Sequence, residues 1–298
     1  MPVEKLDHLS VLEITGQDAL PFLQGQLTND INLAHNKWQY SGYCNPKGRL
    51  LGLFTIWHFN DTVYVILDSS LTETLVKRLR MYVMRSKVEI NTAQYTVYGV
   101  TDKPTLMSLI SEIDIEQTSH ANSVISIEDT HTLNYGDRYL CLIPAEKDIT
   151  QATLVAKNES QWQKANITQG LPEVTASSTE TFIPQMLNLD LLNGINFKKG
   201  CYTGQEIVAR MHYLGKLKQR MFVCDLSKPN TELEPGDKVF SDEALNKSVG
   251  NIVSISNNQA LAVLRLDALE ETETKLFINN ETNLSIAKDQ PYSLEFKK

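Results

Sequence analysis

The stretch Lys198-Lys199-Gly200-Cys201-Tyr202-Thr203-Gly204-Gln205-Glu206, running on into Ile207-Val208-Ala209-Arg210-Met211, stands apart from an otherwise acidic chain. Thr203 and Glu206 have the T-x-x-E spacing of a capping box, and Ile207, Val208 and Met211 continue as the apolar face of the helix it would start. Cys201 is thereby placed just before a helix N-terminus, where partial positive charge favours an anion. Lys198 and Lys199 push the same way, so the spacing predicts a thiol inclined to ionise. Gly200 and Gly204 leave room for a close approach of backbone or ligand. The opposite reading is a structural cysteine buried in a tight turn with its lysines solvated, and spacing alone leaves both open. As far as Arg220 the segment adds Arg210, Lys216 and Lys218, and Glu206 is its one acid.

Downstream of this segment the texture changes. Gln219–Leu226, Lys238–Ser241, Ser248–Ser256, Gln259–Leu266 and Lys275–Asn279 are short β-like runs separated by turns such as Glu234-Pro235-Gly236-Asp237. That pattern predicts a small barrel, because closure removes exposed strand edges. A boundary near 215–220 follows, giving an α+β region of two subdomains over 1–216 and a β-barrel over 217–298. Upstream, Ser10–Thr15, Leu50–Phe59, Thr62–Leu67, Lys87–Ile90, Thr96–Val100 and Tyr139–Ile143 read as strands, with Asn60-Asp61 as a hairpin turn. Asp18 is placed to cap a helix bearing Leu20, Leu23 and Leu27. Ser70 and Glu73 suggest a second capping box, ahead of Leu71, Leu75, Leu79 and Val83. Further helices are expected over Lys103–Ile113 and within Asp148–Ala156. Two such βαββαβ-like passes predict helices laid over antiparallel sheets.

The chain has 298 residues, 42% of them hydrophobic and 21% charged, with a net charge of −8. That composition is globular, and the charge weighs against a general nucleic-acid coat. Neither a secretory leader nor a membrane-length apolar run is evident, so a cytoplasmic location is expected. Cys44, Cys141, Cys201 and Cys224 form no CxxC pair and read as reduced thiols. The six histidines show no ligand spacing, so no metal site is expected. A second basic cluster, Lys77, Arg78, Arg80, Arg85 and Lys87, reads as a solvated face, or as one that meets a polyglutamyl tail or RNA phosphates.

Asn196-Phe197-Lys198-Lys199-Gly200-Cys201-Tyr202-Thr203-Gly204-Gln205-Glu206 with Val208-Ala209-Arg210 resembles the K-G-C-[YF]-x-G-Q-E motif of the YgfZ family. Phe22-Leu23-Gln24-Gly25-Gln26-Leu27-Thr28-Asn29-Asp30 is similar to that family's N-terminal helix motif. Phe182-Ile183-Pro184-Gln185 and Pro291-Tyr292-Ser293-Leu294-Glu295 resemble the approach to the cysteine loop and the C-terminal end. The resemblance spans the chain.

It implies an α+β, aminomethyltransferase-like folate-binding fold, with ferredoxin-like α/β subdomains and a C-terminal β-barrel around a central channel. It also implies tetrahydrofolate or another folate as ligand, and a role in tRNA modification and the maintenance of iron–sulfur enzymes acting on tRNA. Cys201 would be the functional thiol, with Lys198, Lys199, Gly200, Tyr202, Gly204, Gln205, Glu206 and Arg210 as its motif loop. No membrane or DNA partner is implied. Of two tryptophans tied to folate in the family, Trp162 resembles the second, whereas the first position falls on Leu9. Core packing is the plainer reading of Trp162. The related T-protein of glycine cleavage uses an aspartate near a hairpin turn. The similar stretch here, Lys47-Gly48-Arg49-Leu50-Leu51-Gly52-Leu53, has no carboxylate. An accessory protein is therefore expected ahead of an aminomethyltransferase. A folate-dependent one-carbon transferase and a tRNA-binding module are the alternatives.

Overall fold

Strands form where β-branched and aromatic residues run between turn formers, and the longest run, Leu50–Phe59, is a strand from end to end. The computed structural model describes residues 3–110, 120–147, 160–229, 232–269, 275–279 and 281–293. Its first part comprises β1 (Val3–Lys5), β2 (Leu9–Thr15), α1 (Ala19–Gln24), β3 (Gln39–Cys44), β4 (Leu50–Phe59), β5 (Thr62–Asp68), α2 (Thr72–Val83) and β6 (Glu89–Thr92). Next come β7 (Tyr95–Val100), α3 (Lys103–Leu109), β8 (Val124–Ile127), β9 (Thr130–Asn134), β10 (Tyr139–Pro144), α4 (Gln161–Thr168) and α5 (Gln205–Tyr213). The last part holds β11 (Gln219–Leu226), β12 (Lys238–Phe240), β13 (Ser248–Ser256), β14 (Gln259–Arg265), α6 (Leu266–Leu269), β15 (Leu276–Phe277) and β16 (Asn283–Ile286).

Two antiparallel five-stranded sheets, β3-β4-β5-β2-β6 and β1-β7-β10-β9-β8, face one another. Trp57, Tyr64 and Ile66 of the first pack against Val97, Leu140 and Leu142 of the second. β4 is buried on both faces, which accounts for its unbroken apolar run. Asn60 turns the β4–β5 hairpin at φ 51, a region asparagine tolerates. Leu23 of α1 and Leu75 and Leu79 of α2 cover the outer face of the first sheet. Leu106 of α3 covers the second. The remaining strands close a barrel in the order β11-β14-β13-β12-β15-β16, and α4 lies against β13 and β14. The mixed α/β architecture with a C-terminal barrel is the one expected.

His131, on β9, is fully buried between the sheets, its ring 4.3 Å from that of Tyr64. Ser126 Oγ lies 2.7 Å from its Nδ1. Burial lowers its pKa to about 4, so it is neutral near pH 7.

The caps differ from expectation. Gly204 at φ 84, not Thr203, is the N-cap of α5, and no side chain caps it. The Thr203 N–H instead donates to the Gly25 carbonyl, which leaves the Thr203–Glu206 box unmade. Ahead of α2, Asp68 caps a short 3-10 turn over Ser69–Leu71, accepting from Ser70 N, so Ser70 is not the cap. Asp18 occupies the N-cap of α1, but its carboxylate accepts from Lys87 N at 2.7 Å. The third helix ends at Leu109. The helix expected within 148–156 lies outside the described residues, as do positions 111–113.

Candidate functional site

Gly48, in the β3–β4 turn at φ 71, meets Gly204 at the start of α5. A Cβ on Gly204 would stand 2.5 Å from the Asn45 carbonyl oxygen and 3.0 Å from Gly48 Cα. The contact thus seats the motif loop directly on the first sheet. One side chain fastens it further, and a second ties the neighbouring turn to β11. Gln185 Nε2 donates to the Val208 carbonyl at 2.6 Å, and buried Asn188 donates to the Met221 carbonyl at 2.8 Å.

Lys199 turns away from solvent. Its Nζ donates to the carbonyls of Gln24 (2.7 Å), Leu27 (2.6 Å) and Asn29 (2.9 Å), where α1 ends. Burial lowers its pKa to about 8, against an opposing effect from Asp30. An ammonium has three donors, and all three are engaged, so none remains to hold a Cys201 thiolate. Arg220 is likewise committed, in a two-pronged pair with Asp190 at 2.6 and 2.8 Å. The positive charge left on the surface of the segment is that of Lys198, Arg210, Lys216 and Lys218. Cys201 is exposed, whereas Cys44, Cys141 and Cys224 are buried. Burial pushes Cys44 and Cys141 up to about 12 and raises Cys224 as well. Tyr202 is buried beneath Lys199, whose Nζ stands 5.2 Å from the ring centroid. A Cβ on Gly200 would meet nothing within 4 Å among the described residues beyond its chain neighbours, Gln205 begins α5, and Glu206 lies exposed in its first turn, where the helix dipole favours a carboxylate.

The N-terminal motif and the cysteine loop hold one another. Thr28 Oγ1 donates to the Gly194 carbonyl at 2.7 Å and accepts from Gly42 N at 2.7 Å. Asn29 Nδ2 reaches the carbonyls of Tyr40 and Asn193. Tyr292, from the C-terminal motif, meets Asn188 at 2.8 Å, while Leu294 and Glu295 lie outside the described residues.

Leu9 and Trp162 line one cavity between the sheets, together with Tyr40, Thr55 and Tyr135. Its enclosed volume is about 50 Å³, room for a few waters. Two carboxylates that sequence reasoning missed, Asp68 and Glu173, also line it. Glu173 accepts from Asn166 Nδ2 at 3.0 Å, and Asn166 Oδ1 accepts from Arg138 Nη2 at 2.7 Å. Arg138, 2% exposed, lies 4.6 Å from the Trp162 ring centroid. Its Nε and Nη1 have no hydrogen-bond partner among the described residues, so ring stacking takes the place of those bonds. His8 Nε2 stands 3.8 Å from Glu173. Burial lowers the His8 pKa, but Glu173, Asp68 and Glu4 outweigh it and the net shift is upward. Asp68 ends β5 and Glu173 lies in irregular chain after Pro172, so no periodic pattern marked either.

A second, open groove of about 520 Å³ lies on the other side of Tyr40, which walls both spaces. Lys37, Trp38 and Asn122 form one flank, and Phe197, Lys198, His212 and Tyr213 another. The structure therefore unites Leu9 and Trp162, sends Lys198 to the groove, and leaves Cys201 outside both linings. In the second basic cluster Arg80 Nη2 donates to the Ile90 carbonyl, and Arg78 lies 5.7 Å from the Tyr82 ring centroid. Among the described residues no three His, Cys, Asp or Glu side chains gather as a metal site, and no helix is long and apolar enough to cross a membrane.

Residues 4–121 match the family model of the GCVT N-terminal domain, and residues 218–290 that of the CAF17 C-terminal beta-barrel domain. The tRNA-modifying protein YgfZ of Aliivibrio fischeri (strain ES114) is 32% identical over 307 aligned residues, which take in 98% of this chain and 92% of that protein. Its counterpart from Colwellia psychrerythraea is 30% identical over 254 aligned residues, or 83% of this chain and 76% of the other. Among solved structures, glycine cleavage system aminomethyltransferase T from Bartonella henselae matches with a TM-score of 0.72. That match covers 99% of this chain and 85% of the other at 14% identity, a likeness of fold.

Proposed function

The chain belongs to the YgfZ family of tRNA-modifying proteins, and on that footing we propose that it binds a folate between its two sheets and supports tRNA modification as an accessory to iron–sulfur enzymes in the cytoplasm. The observation that carries this reading is the cavity where Leu9 and Trp162 meet beside Glu173 and Asp68. A pterin is flat, which suits the Trp162 and Tyr135 rings. One edge of it presents adjacent N–H donors, which suit a carboxylate held in place. Asn166, itself held by Arg138, holds Glu173 in that way. Seating the whole ring system calls for side-chain movement, because the enclosed volume is about 50 Å³. Folate would lie within residues 1–216, with 217–298 as the barrel packed against α4.

The missing acid of the β3–β4 turn bears on enzyme class. Glu173 and Asp68 bring carboxylates to the cavity from elsewhere, but Glu173 is already engaged by Asn166 and faces His8. It is set to recognise a ring edge, and an accessory role is preferred to one-carbon transfer.

Calorimetric titration with tetrahydrofolate tests the folate site. Binding at micromolar strength is expected, weakened at least about tenfold in Glu173→Gln, since a hydrogen bond to a charged group is worth about 1.5–3 kcal/mol. Equal affinity in the two proteins would overturn the assignment. Cys201 is the proposed functional thiol. Cys201→Ala should fold normally yet fail to restore tRNA thiomethylation in a deficient strain, and full rescue would refute that role.

A further inference from the structure

We propose that the open groove beyond Tyr40 binds a nucleotide of single-stranded RNA, its base packed against the aromatic cluster of Phe197, His212 and Tyr213 and its phosphates met by Lys37 and Lys198. The choice of RNA rests on the tRNA-modification reading, while the site itself is read from the groove. Phe197 and His212 are stacked, with centroids 3.7 Å apart and planes 15° off parallel. Tyr213 stands edge-on to both and is 64% exposed, so the cluster offers aromatic surface to solvent. Such a platform takes any base, because every base has a π-face. Asn122, Asn193 and Asn196 add amides, which both donate and accept and so match the mixed edges of a nucleobase.

The charge of the groove is the second, independent observation. The chain carries 36 acidic residues, yet among the described residues no Asp or Glu lines this groove, while Lys37 and Lys198 do. The folate cavity has the reverse character, with two carboxylates in its wall. Lys216 and Lys218, which follow α5 in the chain, are exposed as well and add positive charge for a phosphodiester backbone. The exposed groove residue Leu33 suits a flat base better than the carboxylates of a folate tail. A volume of about 520 Å³ is that of a small-molecule site, the size of a nucleotide or two. Bases of a duplex are stacked away, so an unpaired segment is the form that fits.

The test is fluorescence anisotropy of a labelled single-stranded RNA octamer on the full chain, with AMP and polyglutamylated tetrahydrofolate as competitors. Log affinity should fall with log salt by about 0.7 per phosphate met, and Lys37→Ala and Lys198→Ala should each reduce the slope by about that much. Phe197→Leu keeps the apolar volume and loses the π-face. With an unchanged melting temperature it should bind RNA about 5- to 150-fold more weakly. Millimolar AMP should displace the octamer. No binding at low salt, or binding indifferent to Phe197→Leu and to both lysine variants, would overturn the proposal. Displacement by the folate polyglutamate but not by AMP would also overturn it, by making the groove a tail site. Direct titration of the same proteins with tetrahydrofolate keeps the outcomes apart, since failure there bears on the cavity alone.

Discussion

The contact between Gly48 and Gly204 predicts that Gly204→Ala is the most damaging one-carbon addition in the motif loop. Two costs combine. A side chain at φ 84 carries a left-handed penalty of about 1–2 kcal/mol. The new Cβ would also sit 2.5 Å from the Asn45 carbonyl oxygen and 3.1 Å from Cys44 Cβ. The turn cannot simply yield, because Asn45 Oδ1 accepts from Lys47 N and Arg49 N, and its carbonyl accepts from Gly48 N. Overpacking of that kind costs about 1–3 kcal/mol, so the expected total is about 2–5 kcal/mol. For a chain of this size that lowers the melting temperature by roughly 3–8 °C, read by calorimetry. Gly200→Ala is the control, since among the described residues no atom beyond its chain neighbours lies within 4 Å of its added Cβ, and it should stay within about 0.5 kcal/mol of wild type. A Gly204→Ala protein that melts with wild type, or a Gly200→Ala protein that is equally damaged, would refute the reasoning.

His131 should make the protein acid-sensitive. Its native pKa of about 4 lies below the ordinary 6.5, so the native state favours the neutral ring, and stability present above pH 6.5 is lost as pH falls toward 4. By pH 5 the loss from this group is roughly 2 kcal/mol, and His131→Gln should flatten that part of the urea-midpoint profile. Identical pH profiles for wild type and variant would contradict it. Lys199→Met strips the carbonyls of Gln24, Leu27 and Asn29 of their shared donor, for an expected loss of about 2–4 kcal/mol in chemical denaturation. Unchanged stability there would mean that water already serves those carbonyls.

What the sequence disclosed followed from where each signal resides. β4, β11 and β13 coincide with the runs read for them, because a β-branched or aromatic stretch between turns carries its own evidence. β3 was missed: Gln-Tyr-Ser-Gly-Tyr-Cys is polar and holds a glycine, and only pairing with β4 makes it a strand. α4 was missed too, since it buries Asn166 beside Trp162 and Ile167 and so blurs the apolar stripe. The cysteine loop was conspicuous as a motif, but the part Lys199 plays was not, because its acceptors lie in another segment of the chain. Glu173 had no local signal, for a carboxylate in irregular chain is ordinarily a solvated one.

The engagement of Lys199 sets a timetable for synthesis. Its acceptor at Gln24 was made 175 residues earlier. At about 5–20 residues per second on the ribosome, the carbonyls at the end of α1 wait roughly 9–35 s for their ammonium. The first sheet emerges with that end unfinished, and the nascent chain is locked only as the cysteine loop leaves the exit tunnel. A stop or frameshift upstream of Lys199 would therefore release a fragment with open carbonyls and an uncovered sheet, a natural substrate for chaperones and proteases.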